Sequence, residues 1–176
     1  MSKRDEAVAR PLCAAVLTVS DTRTEATDTS GQYLVEALRA DRHAIGAKAI
    51  VKDDIYQIRA VLSAWIADSD IHAIIVTGGT GFSGRDSTPE AVAPLFDKCI
   101  EGFGEVFRAL SYEEIGSSTI QSRALAGLSN NTVVFCVPGS TGACRTAWEG
   151  LIKEQLDSTH RPCNFVGVLK VRGETP

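Results

Sequence analysis

The sequence predicts an α/β domain in three layers, with helices on both faces of a mostly parallel central sheet. Three observations carry this. Short, largely apolar runs recur at Ala14–Val19, Ile74–Val76 and Val133–Val137, bounded by polar or Gly/Pro positions. Such β-branched runs read as strands buried on both faces. Amphipathic stretches with helical spacing lie between them. Finally, 176 residues at 44% hydrophobic and 23% charged make one domain whose core needs neither disulfides nor a structural metal.

In order along the chain, residues 1–11 read as an N-terminal extension, 12–170 as the domain and 171–176 as a tail. Ala14–Val19 is the first strand. Leu34, Ala37 and Leu38 mark the first helix, and Ile45–Val51 is the next strand. Ile55, Ile58, Val61, Leu62, Trp65 and Ile66 then share one face of a stronger helix. After the Ile74–Val76 strand, Val92, Leu95, Phe96 and Cys99 give a third helix. Phe103, Phe107 and Leu110 give another, and Gln121–Leu128 reads as a further short one. The Val133–Val137 strand leads into a last helix on Cys144, Ala147, Trp148, Leu151 and Ile152. Trp65 and Trp148 fall on apolar helix faces, as core or as subunit contact.

Composition narrows the function. With 18 Lys and Arg against 22 Asp and Glu, the net charge is −4. That excludes a dedicated binder of nucleic acid or of an anionic membrane surface, which needs a basic face. No apolar run approaches the ~18 residues of a membrane span. Met1–Arg10 lacks the apolar segment of a signal peptide, so the chain is expected in the cytoplasm. Cys13, Cys99, Cys136, Cys144 and Cys163 are odd in number, without C-x-x-C spacing, and read as small buried hydrophobes. His43, His72 and His160 are far apart, which argues against structural zinc.

In an open α/β sheet, ligands bind where loops leave the carboxyl ends of the strands. Three exits carry unusual residues: Val19-Ser20-Asp21, Thr77-Gly78-Gly79-Thr80-Gly81 and Pro138-Gly139-Ser140. The central loop, Thr77–Glu90, reads TGGTGFSGRDSTPE. Its glycines let the backbone turn sharply and approach a ligand, and successive N–H groups there form a concavity for anions. A helix follows, with Ser87 as cap, Pro89 in the first turn and Glu90 completing a capping box. Gly79, Gly81 and Gly84 match G-x-G-x-x-G, yet the helix opens too late for a dinucleotide fingerprint. The G-x-x-x-x-G frame of a P-loop is present too, but Arg85 and Asp86 stand where Lys and Ser/Thr are required.

Thr77-Gly78-Gly79-Thr80-Gly81, with Arg85-Asp86 and Thr88-Pro89-Glu90 behind it, resembles the molybdopterin-binding proteins of molybdenum cofactor biosynthesis, the MogA/MoaB family. The likeness runs from about Leu12 to Phe165. Ser20-Asp21, Asp28-Thr29-Ser30-Gly31, Asp53 and Pro138-Gly139-Ser140 stand where that family's pattern expects them. Gly102–Arg108 and Ser140–Glu149 look most like its MoaB branch.

The resemblance implies a homotrimer or homohexamer, and related members use ATP and Mg²⁺ to adenylylate molybdopterin before molybdate insertion. It further implies Asp53 and Asp86 as catalytic residues and Mg²⁺ ligands. Ser20, Asp21, Asp28, Ser30, Gly31, Gly78, Gly79, Thr80, Gly81, Pro138, Gly139 and Ser140 would bind molybdopterin or nucleotide. Two positions depart from the adenylylating pattern: Thr141 replaces a proline after Pro138-Gly139, and Lys52 replaces one before the first acid. They keep open a non-catalytic molybdopterin carrier or assembly protein. Simpler roles stay open as well: Asp53 as cap of a helix starting at Asp54, Asp86 in a local ion pair or turn cap, and Ser140 as N-cap of the last helix.

Overall fold

A computed structural model describes residues 8–171; residues 1–7 of the N-terminal extension and 172–176 of the tail lie outside the described residues. Strands β1 (Cys13–Val19), β2 (Ala44–Val51), β3 (Ala73–Thr77), β4 (Lys98–Cys99), β5 (Leu125–Ser129) and β6 (Thr132–Val137) form one sheet in the order β2-β1-β3-β6-β5-β4. The first four in that order are parallel. β5 and β4 add an antiparallel edge.

Alternate side chains of the central strands face opposite ways, and this divides the core into two layers. Ala14, Val16, Ile75 and Phe135 pack with Leu34 and Leu38 of α1 (Thr29–Ala40), Phe103 and Phe107 of α4 (Glu101–Ile115), and Ala147 of α5 (Thr141–Ala147). Ala15, Leu17, Ile74 and Val76 face Ile58 and Leu62 of α2 (Ile55–Ala67) and Ala91 and Val92 of α3 (Thr88–Val92). α5 continues through a π-helical turn, Trp148–Ile152, into α6 (Lys153–Gln155). The predicted three-layer architecture is the one found.

Two expected helices differ from what forms. The third stops at Val92, because Pro94 inside it offers no N–H and crowds the carbonyl four residues back. The region read as a helix over Gln121–Leu128 is irregular in its first half and strand β5 in its second. A two-residue turn joins β5 to β6, with φ of 48° at Asn130 and 56° at Asn131, the left-handed pair that a type I′ hairpin requires.

The cysteine reading also needs correction. Cys136 and Cys144 are buried, but Cys99 and Cys163 are exposed and Cys13 is half-buried. Trp148, 1% exposed, belongs to the core, and Trp65 packs half-buried on the α2–α3 layer.

The start of β1 is held by two imidazoles. His43, just before β2, accepts from the N–H of Leu12 (3.1 Å), and His72, just before β3, from that of Cys13 (2.9 Å). Each ring nitrogen stands in for the backbone carbonyl that a longer neighbouring strand would supply.

Candidate phosphate-binding cleft

The carboxyl ends of β1, β3 and β6 open onto a cleft of about 410 Å³, within the usual size range of small-molecule sites. Its floor is the glycine loop. Gly78 and Gly79 have φ of 104° and 65°, which only glycine adopts at little cost. The loop is pinned from several sides. Gly78 donates to the Val137 carbonyl (3.0 Å), Thr88 N–H to Gly79 O (3.0 Å), and the Thr88 hydroxyl to Gly78 O (2.8 Å). Because the Gly78 N–H is taken, the three that find no acceptor among the described residues are those of Gly79, Thr80 and Gly81.

Pro138, Gly139 and Ser140 form the opposite lip. Ser140 does cap α5, its side chain accepting from the Ala143 N–H (3.1 Å). α1 begins alongside, and the hydroxyls of Thr29 and Thr141 meet at 3.0 Å. Thr141, where adenylylating relatives are expected to have proline, therefore joins two helix starts rather than closing the cleft.

The predicted residues occupy four positions. Ser20, Gly78, Gly79, Thr80, Gly81, Asp86, Pro138, Gly139 and Ser140 line the cleft. Asp28, Ser30 and Gly31 stand behind its wall. The Asp28 carboxylate is buried, accepting from the Gly31 N–H (2.9 Å) and the Thr18 hydroxyl (2.8 Å), while Ser30 donates to Gly139 O (2.7 Å). Asp21 lies at the mouth, paired with Arg85 at 2.7 Å.

Asp53 approaches from the far side of the loop, in a groove shared with Tyr56, Arg85 and Ser87. It does not cap α2. Asp54 does, accepting from the N–H groups of Tyr56 (3.0 Å) and Gln57 (2.9 Å). Asp53 Oδ1 instead takes the N–H (2.9 Å) and hydroxyl (2.6 Å) of Ser87, which removes Ser87 from the expected capping box. Asp53 Oδ2 is left facing the loop, 2.7 Å from where a Cβ on Gly79 would stand. Asp86 Oδ2 accepts from the Ser83 N–H (2.7 Å) and lies 2.8 Å from a would-be Cβ on Gly81. Both acids therefore abut the glycine loop, each with one oxygen that takes no hydrogen bond among the described residues.

Two arginines were not anticipated. Arg23 is the cation lining the cleft, and its guanidinium donates to Thr27 O (3.1 Å), the Thr29 hydroxyl (3.1 Å) and Gly139 O (3.4 Å). Arg123, entering from the segment that leads into β5, bonds the glycine loop and pairs with Glu90. Partial burial pushes the Glu90 carboxyl up, but the hydrogen bond and charge of Arg123 prevail and its pKa falls below the ordinary value. Neither arginine belongs to a recognisable motif; only the need for local positive charge in an acidic chain could have pointed to Arg23. Phe107, Ser111 and Ile115, at helical spacing on α4, complete the far wall with Ser118, Gln121 and Ser122; small hydroxyl and amide side chains outside any motif give the sequence no sign of a ligand site.

Residues 15–158 match the family model described as "Probable molybdopterin binding domain". The chain is 56% identical over 160 residues to molybdenum cofactor biosynthesis protein B of Escherichia coli K12, covering 91% of this chain and 94% of the relative. Against the protein of the same name from Staphylococcus aureus Mu50 it is 50% identical over 151 residues, covering 84% and 89%. A crystal structure of molybdenum cofactor biosynthesis protein B superposes with a TM-score of 0.81 at 46% identity, over 84% of this chain and 92% of that one. The chain belongs to the molybdopterin-binding domain family of the molybdenum cofactor biosynthesis proteins.

Proposed function

We propose that the protein binds molybdopterin through its terminal phosphate and adenylylates that phosphate with Mg-ATP, releasing pyrophosphate. The observation that carries the reading is the presence of free backbone N–H groups at Gly79, Thr80 and Gly81 beside two carboxylates that abut that loop, Asp86 from within it and Asp53 from the β2–α2 connection. N–H groups alone make an anion site. Carboxylates beside them oppose one: at 4 Å, an acid and a phosphate oxygen repel by about 4 kcal/mol at an effective dielectric of 20. A divalent cation held by the acids would resolve the conflict.

The donor set fits magnesium carried in on nucleotide phosphate. Among the described residues there is no cluster of three or more His, Cys, Asp or Glu to cage a metal, while magnesium prefers one or two carboxylates plus phosphate oxygens. Asp53 Oδ2 and Asp86 Oδ1 would hold it, and the ion when bound would neutralise phosphate charge. The chain's own groups do the rest. Gly79–Gly81 N–H groups and Arg23 fix the phosphates, the start of α5 adds its partial positive charge, and Ser87 and Ser83 orient the two acids. Attack of the molybdopterin phosphate on the α-phosphorus of ATP then needs positioning and charge neutralisation, with no covalent enzyme intermediate.

A homotrimer or homohexamer is part of this proposal. It is supported by exposed Val106, Tyr112 and Ile115 on α4 and by Ile120, 72% exposed, in the turn that follows.

The test is pyrophosphate release from molybdopterin, ATP and Mg²⁺, with Asp86→Asn as the probe. The wild type should turn over, and the variant should keep molybdopterin binding while its rate falls by orders of magnitude, each 1.36 kcal/mol of lost transition-state stabilisation being tenfold. A wild type that binds molybdopterin yet releases no pyrophosphate at any magnesium concentration makes the protein a carrier.

A further inference from the structure

The segment that bears Asp86 has little to hold it. From Phe82 to Asp86 its internal ties are a small turn, in which Asp86 N–H donates to Ser83 O (2.9 Å) and Ser83 N–H returns to Asp86 Oδ2 (2.7 Å). That turn fixes the carboxylate relative to its own backbone, not relative to Gly79–Gly81. Apart from the exposed Arg85–Asp21 pair at the mouth, the link to the rest of the fold comes from one residue. Arg123 donates from its backbone N–H to Thr80 O (3.0 Å), from Nε to Gly81 O (2.8 Å) and from a terminal nitrogen to Asp86 O (3.1 Å). Its guanidinium also lies 5.1 Å from the Phe82 ring centroid. Glu90, on the helix after the loop, receives the remaining terminal nitrogen.

A planar guanidinium can serve this set of acceptors because its five donors are fixed in one fork; an ammonium cannot span them. Glu90 neutralises it, its bonded donors go to protein acceptors, and Arg123 does not line the cleft where a phosphate would sit. We propose that Arg123 is the positioning residue that registers Asp86 against the free N–H groups of the glycine loop. The role rests on the adenylyl-transfer reading above, and it ties the segment leading into the antiparallel edge of the sheet to the site.

The experiment compares wild type, Arg123→Met and Arg123→Lys for metal-free molybdopterin affinity, kcat for pyrophosphate release and half-saturating Mg²⁺. Arg123→Met should lower kcat by about 100-fold, the scale expected from ångström misplacement of a reacting group. Half-saturating Mg²⁺ should rise by about tenfold, because Asp86 loses its register. Molybdopterin affinity should stay within about threefold, since the backbone bond to Thr80 survives and Thr88 still holds Gly79. Arg123→Lys should resemble Arg123→Met. A structural role alone would not separate kcat and magnesium demand from ligand affinity. A working wild type whose variants keep kcat and magnesium demand within threefold overturns the inference alone, as does loss of affinity and rate in equal measure. A wild type that releases no pyrophosphate overturns the adenylyl-transfer reading and the inference with it.

Discussion

Alanine at Gly79 should destabilise the protein by an amount that the geometry fixes. The residue has φ of 65°, and an L side chain in that left-handed region costs about 1–2 kcal/mol. Its Cβ would also stand 2.4 Å from the Thr88 hydroxyl and 2.7 Å from Asp53 Oδ2. Thr88 is wholly buried and holds Gly78 O, so it cannot turn away without leaving that carbonyl unpaired. Overpacking of this kind costs about 1–3 kcal/mol. The sum is roughly 2–5 kcal/mol, or a Tm lowered by about 4–20 °C at 2–4 °C per kcal/mol for a domain of this size. Gly81→Ala meets only the Asp86 carboxylate, at 2.8 Å and without positive φ, so its cost should be smaller and fall mainly on magnesium demand. Gly84→Ala meets nothing within 4 Å and should be neutral or gain up to about 1 kcal/mol through the unfolded state. Urea denaturation of the three variants should give the order Gly79, Gly81, Gly84 from most to least damaging. A Gly79→Ala protein as stable as Gly84→Ala would refute the reasoning, since strain and collision would both be absent.

The remaining predictions concern other parts of the fold. Burial holds the His43 pKa below its ordinary value against the pull of Asp41 and Asp157; burial likewise lowers His72, with Lys170 and Arg10 adding and Asp70 opposing. Their contribution to stability is therefore complete above about pH 6.5 and is lost as pH falls through the depressed values, by up to about 1.4 kcal/mol per histidine per pH unit. A His43→Gln, His72→Gln double variant should show a flatter pH dependence of its urea midpoint between about pH 6.5 and 5, and an unchanged slope would count against the imidazole clamp. Asp28→Ala removes a cap and strands the Thr18 hydroxyl and Gly31 N–H, costing roughly 2–4 kcal/mol by chemical denaturation; a loss below about 1 kcal/mol would show that the buried carboxylate anchors nothing. Light scattering should give the mass of three or six chains, falling toward one in Ile120→Glu, whereas a wild-type monomer at micromolar concentration would remove the assembly from the proposal.

The sequence announced the parallel half of the sheet and the glycine loop because one cause produced each signal. Buried parallel strands must be apolar throughout, and the loop must be glycine where φ is positive. The antiparallel half was misread where two causes compete. Ala124, Leu125, Ala126 and Leu128 favour a helix by intrinsic propensity, and pairing with β6 overrides it. The Asn130–Asn131 pair was the available sign of a hairpin. At the site, Ser87 and Glu90 fit a capping box by spacing, yet Asp53 and Arg123 claim their side chains from 34 and 33 positions away. Local patterns cannot show such bonds, and for the same reason Arg23 and Arg123 were invisible.

The bonds from Arg23 and Ser30 to the Gly139 carbonyl span 116 and 109 positions. They join the exit of β1 to that of β6, so the cleft cannot close until most of the chain has been made and the sheet has zipped across β3. Contacts this distant form late, after the loop-closure entropy of the intervening chain has been overcome. A nascent chain released before β6 would carry the glycine loop but no lip opposite it. Acquisition of anion binding should therefore coincide with the final step of folding, which makes ligand capture a clock for completion of the fold rather than for any one of its parts.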